Sequence, residues 1–165
     1  MKRLIFLLIF PLTCLCLRAQ AQQQKEVCLE IERFTDDSTH AVKLITPVLW
    51  QDKVVPVVFT KLVNQDTSTY TLYFSTHSDM TFKDPEGVVV VFTDSTVWRK
   101  PGRINAFKMN NSFEYNLLIS LTAADVALFS TKHINNYVLY LFNQDIDKAQ
   151  AEHFAVAVQC VKDAQ

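Results

Sequence analysis

Glycine is almost missing from this chain: its 165 residues include two, Gly87 and Gly102. A loop that cradles phosphates needs several glycines so that backbone amides can close on the anion, and none is encoded. A serine nucleophile on a strained elbow also wants flanking glycines, and the Gly-x-Ser-x-Gly pattern does not occur. Paired Cys-x-x-Cys spacing and clustered histidines are absent too, so the usual zinc ligand sets are missing and neither metal nor cofactor is expected. No uncharged apolar run reaches the ~20 residues of a membrane-crossing helix. Positive charge is not in excess, with 16 Lys and Arg against 17 Asp and Glu. Without a surface to neutralise phosphates, nucleic acid is not an expected partner. Disorder is excluded as well, because 49% of the residues are hydrophobic.

The first residues read as an export signal. Lys2 and Arg3 precede an apolar stretch from Leu4 to Leu12, and Ala19-Gln20-Ala21 has the small-x-small pattern of a cleavage site. Met1 to Ala21 is therefore expected to be removed, leaving one β-rich globular domain from Gln22 to Gln165. Lys2, Arg3 and Arg18 leave with the signal and no acid does, so 13 basic residues face 17 acidic ones, a balance of −4. A lipid anchor at Cys14 or Cys16 is the rival reading. The residue before a lipid-modified cysteine is normally small, and Thr13 and Leu15 are not. The expected location is periplasmic or secreted.

Two cysteines then remain, Cys28 and Cys160, 132 positions apart. In an oxidising compartment such a pair points to a disulfide, the alternatives being a reactive thiol or two separate buried thiols.

The rest of the chain is dominated by period-two alternation, the signature of half-buried strands. Val27, Leu29 and Ile31 alternate with Cys28, Glu30 and Glu32, and Asp36-Asp37-Ser38 marks a turn. Ala41 to Trp50 and Lys53 to Val63 read as strands, with Pro47 and Pro56 placing them at edges or bulges. Thr69 to Thr76 alternates clearly. After the Asp84-Pro85-Glu86-Gly87 turn, Val88 to Phe92 is apolar on both faces, as in a strand covered on both sides. Thr96 to Arg99 reads as its extension, broken by Lys100-Pro101-Gly102-Arg103. Asn110-Asn111 reads as a turn. Phe113, Tyr115, Leu117, Ile119 and Leu121 keep the period over nine residues, and Ile134 to Phe142 repeats it.

Two helices interrupt this pattern. Thr122 and Asp125 form a capping-box pair, with Leu121 and Val126 as the hydrophobic staple, and that helix is expected to end near Ser130. From Asp147 to Lys162, Phe154, Ala157, Val158 and Val161 form a helical stripe, although Phe154, Val156, Val158 and Cys160 also alternate as a strand would. The expected fold is mainly β (α+β): an antiparallel, sandwich-like sheet with a short helix before the last strand and a C-terminal helix. Phe74, Val89, Val91, Leu117, Ile119, Phe129, Leu139, Leu141 and Phe154 are the expected core.

Ala19-Gln20-Ala21, the run Gly87 to Asp94, the Leu121-Thr122 helix start, Ile134 opening a strand and a cysteine in the last helix together resemble small uncharacterised exported β-rich proteins of Gram-negative bacteria. The resemblance implies a fold and a compartment, and no activity.

Candidate chemistry is sparse. His77, Ser78 and Asp79 form the most reactive-looking cluster, in which a histidine and an acid could share a proton or bind a cation; a solvated turn is the ordinary alternative. Trp98, Arg99, Lys100 and Arg103 could stack a sugar or hold an anion, or mark a strand end with Trp98 packed inward. His40, His133 and His153 are isolated. Glu30 and Glu32 read as a solvated face rather than a paired-carboxylate site. Two functional classes follow: a non-catalytic exported module that binds an envelope protein or a small ligand, and a hydrolase assembled from distant residues. An assembled pocket joining His77 or His133 to an acid and a nucleophile would favour the second.

Overall fold

In a computed structural model the chain forms ten strands and three helices among the described residues, 25–47 and 57–164. The expected signal, Cys14, Cys16, Trp50 and Pro56 lie outside these residues. The first helix, α1, is described over 25–29. The strands are β1 Glu32–Thr35, β2 Val42–Ile45, β3 Val58–Asn64, β4 Thr67–Ser78, β5 Glu86–Phe92, β6 Val97–Arg103, β7 Asn105–Met109, β8 Ser112–Leu121, β9 Ile134–Leu139 and β10 Phe142–Asp145. Helix α2, Ala123–Thr131, separates β8 from β9, and α3, Lys148–Asp163, follows β10. The mainly β, α+β architecture read from the sequence is thus present.

All pairings are antiparallel, in a six-stranded sheet ordered β1-β2-β3-β4-β8-β7 and a four-stranded sheet ordered β10-β9-β5-β6. The chain builds a meander, crosses to the second sheet for β5 and β6, returns for β7 and β8, and crosses again after α2. The sheets face each other through Phe74 of β4, whose ring lies 5.2 Å from Tyr137 of β9 and 6.3 Å from Trp98 of β6. The buried Tyr137 hydroxyl donates to the Ser75 carbonyl at 2.7 Å, so its polar end is satisfied between the layers. Helix α3 packs against β3 and α2, bringing Phe154, Val158 and Val161 into the same core as Phe59, Leu72 and Phe74.

Several expectations need correction. The segment from Val27 to Glu32 is helix α1 followed by the start of β1, not one strand. Its alternation carries no burial pattern, since Val27 is buried and Leu29 is 77% exposed. Thr96 to Arg99 does not extend β5; Thr93 to Ser95 turn the chain, and β6 returns beside β5. Lys100-Pro101-Gly102-Arg103 does not end that strand. As the sheet's edge, β6 tolerates a residue without an amide hydrogen, and the register shifts between Glu86 and Val88 opposite Pro101 and Gly102. β5 is central in its sheet, but Val88, Val90 and Phe92 fill the core while Val89 and Val91 are half-buried on the other face. Ile134 to Phe142 is a hairpin: Tyr140, at φ 56°, and Leu141 form the two-residue connection. Leu141, expected in the core, is 65% exposed at that tip.

The helix ends are closed by side chains. Thr122 accepts from the Asp125 amide at 3.2 Å, and Asp125 accepts from the Thr122 amide at 2.9 Å, the expected capping box. Asp147 caps α3 through the amides of Ala149 and Gln150. At the other end of α3 the cap comes from a strand. The buried Lys61 of β3 donates its ammonium to the carbonyls of Lys162 and Ala164, at 3.1 and 2.5 Å. A cation there complements the negative end of the helix dipole. Burial lowers the Lys61 pKa, while the Asp163 carboxylate acts in the opposite sense. The expected disulfide joins Cys28 to Cys160 with α-carbons 5.4 Å apart. It ties α1, rather than a strand, to α3.

Candidate functional site

Strand β6 divides the basic group read from the sequence. Trp98 is buried, packs on Phe129 at 5.0 Å and donates its indole N–H to Asp125 Oδ1 at 2.7 Å. Lys100 Nζ lies 3.1 Å from the other oxygen of Asp125 and 5.9 Å from the Trp98 ring. Burial would raise the Asp125 pKa. The Thr122 amide, the Trp98 indole, the Thr122 hydroxyl and the Lys100 ammonium outweigh it and hold the carboxyl at about 2. Trp98 and Lys100 thus complete the cap of α2, with the indole edge turned inward. The sequence displays the capping box and the basic group separately; 27 positions separate Trp98 from Asp125, and no local pattern announces their meeting.

Arg103 stands at the far end of the strand. Five residues at ~3.3 Å each put it roughly 16 Å along from Trp98. Here β6 passes directly into β7 of the other sheet through the buried Ile104, whose amide donates to the Pro85 carbonyl at 3.1 Å. A strand that switches sheets makes a corner. This corner holds a pocket of about 320 Å³ lined by Asp84, Pro85, Arg103, Ile104, Asn105, Ala106 and Phe107. Asp84 sits at positive φ, 49°, in the turn that brings Pro85 to the wall. Strand β7 was not among the expected strands, although its signal is present: Phe107 and Met109 alternate with Ala106 and Lys108 just before the Asn110-Asn111 turn. That turn forms as expected, with Asn110 at φ 51°.

The His77-Ser78-Asp79 cluster lies at the end of β4 on the same side of the molecule. His77 and Asp79 are exposed, and Ser78 Oγ accepts from the Met80 amide at 3.1 Å. Register places His77 opposite Glu114, and Glu114 opposite Phe107. One row across the outer face of the larger sheet therefore runs from His77 to the pocket wall. The Glu114 carboxylate accepts from Tyr73 at 3.0 Å and from the buried Ser75 at 3.2 Å. Burial raises the Tyr73 phenol pKa. Arg99 is exposed on the outer face of the smaller sheet, opposite Val89, and does not join Arg103.

The other candidates are dispersed. Glu30 lies in the turn after α1 and Glu32 in β1, and Glu30 Oε2 lies 3.0 Å from His153 Nε2 of α3. Tyr115 and Tyr137 point into the core. Among the described residues no three His, Cys, Asp or Glu side chains are placed to hold a metal ion, and no helix is long and apolar enough to cross a membrane. No protein-family model matches the chain, and no curated protein matches it.

Proposed function

We propose that this chain is an exported, non-catalytic binding module that meets an envelope protein or a small ligand along β7 and the corner pocket. One observation carries the reading: Asn105, Ala106 and Phe107 line the pocket and also belong to β7, an outer strand of the six-stranded sheet with no neighbour on its far side among the described residues. Pocket and strand edge thus form one continuous surface, and concave sites beside exposed backbone are where recognition concentrates. The export signal read at Met1 to Ala21 and the Cys28–Cys160 bond support an oxidising compartment, periplasmic or secreted. The likeness to exported β-rich proteins points the same way.

The test places a photoreactive benzoylphenylalanine at Phe107 and, as control, at the exposed Asp66 of the β3–β4 turn. Illumination in the native envelope should yield a covalent adduct, seen as a mass shift, from position 107 and not from 66. Equal adducts at both positions, or none at 107, would overturn the reading.

A further inference from the structure

We infer that the corner site takes the free C-terminal carboxylate of an extended peptide, which adds to β7 as a further antiparallel strand. The inference rests on the binding role proposed above and names its ligand chemistry.

The four outer strands are not equally open. β6 carries Pro101 and a register shift, and β1 and β10 have four residues each. β7 has five residues, all exposed, with neither proline nor bulge, and Lys108 is its one charged residue. Edges lacking such protection are templates for strand addition. β7 and β8 are joined by the two-residue Asn110-Asn111 connection, so Met109 and Ser112 form a hydrogen-bonded pair. Alternation then leaves the backbone N–H and C=O groups of Ala106 and Lys108 facing outward, without a strand partner among the described residues.

Direction follows from geometry. A peptide antiparallel to β7 starts beside Met109 and ends beside Asn105, at the mouth of the pocket. There the Arg103 guanidinium has no ion-pair or hydrogen-bond partner among the described residues; Asp84 on the wall and Glu86, opposite Arg103 in the β5–β6 pairing, are both beyond ion-pair distance. A planar, permanently charged guanidinium matches a carboxylate. Phe107 and Met109, 54% and 48% exposed on one face of β7, would pack alternate apolar side chains of the peptide.

The test uses the oxidised full-length protein and a labelled hexapeptide of alternating threonine and valine that ends in a free valine carboxylate. Its comparators are the C-terminal amide, an amide carrying glutamate at the last position, and a backbone N-methylated form. Fluorescence anisotropy should show the free acid binding about tenfold tighter than the amide, the scale of one charge-assisted contact. Arg103→Gln should bring acid and amide together, Arg103→Lys should restore part of the difference, and N-methylation should abolish binding. Equal binding of acid and amide to the wild type, or a difference untouched by Arg103→Gln, overturns the inference. Glutamate–amide binding as tight as the free acid overturns the assignment to a chain terminus. Self-association that disappears in Phe107→Asp, with no peptide binding, assigns the edge to a second copy instead. Failure of every peptide while the position-107 adduct persists removes this inference and leaves the binding role standing; loss of both removes the role as well.

Discussion

Asp125 gathers four donors: the indole of Trp98, the amide and hydroxyl of Thr122, and the ammonium of Lys100. Its folded pKa, about 2, lies below the ordinary 3.8. A depressed carboxyl stabilises the fold fully above the unfolded value and loses that contribution as pH falls through the folded value. The window is therefore about pH 4 down to 2, and the shift corresponds to about 2 kcal/mol. Asp36 and Asp94 are also held at about 2, Asp36 chiefly by the Ser38 hydroxyl and Asp94 chiefly by Lys132, so acid loss alone does not isolate Asp125. The comparison does. Between pH 5 and pH 2, the urea midpoint of Asp125→Asn should fall less than that of the wild type. Parallel curves would mean that this cluster carries none of the acid sensitivity. Thr122 and Asp125 were legible as a pair because a capping box is local, three residues apart. Trp98 and Lys100 were not, because the side chain they meet lies on another element.

At the scale of elements, Gly102 decides how closely β6 approaches β8. A Cβ on Gly102 would lie 2.8 Å from Leu117 Cδ1, and Leu117 is buried in the core. The leucine tip would have to move where its neighbours leave little room. Gly102→Ala should therefore destabilise the protein by about 1–3 kcal/mol, the usual range for overpacking, read from the denaturant midpoint. No loss in Gly102→Ala, or a loss that Leu117→Ala does not relieve in the double variant, would show that the close approach is not limiting. In the sequence Lys100 to Arg103 reads as a break, because proline and glycine usually punctuate strands. The segment stays in the sheet since its outer edge has no neighbour to bond. The strands around Tyr70 and Leu117 are legible because alternation coincides with a covered face, and the one around Val90 because its apolar run is unbroken. Over Val27 to Glu32 alternation misleads, since six residues are too few to separate chance alternation from a strand.

For the whole molecule, the Cys28–Cys160 bond closes a loop of 132 residues and fastens α1 to the helix whose C-terminal end Lys61 holds. Loop-closure entropy sets an upper bound of ~5 kcal/mol for such a bond. Cys28 is exposed, so a reductant can reach it. Cys28→Ala combined with Cys160→Ala should lower the melting temperature by roughly 10 °C, at 2–4 °C per kcal/mol for a chain of this size. Equal melting of the oxidised protein and the double variant would show that the attachment of α1 adds nothing to global stability.

The cysteine pair, the strand-rich pattern and the Thr122 capping box could be read directly because each is either compositional or confined to a few consecutive residues. The folding of those strands into two sheets, the corner at Ile104 and the meeting of Asp84 and Pro85 with Arg103 and β7 could not. Each depends on which distant segments pair. In antiparallel sheets that choice follows from which faces bury together, a property of the assembled core rather than of any one stretch of chain.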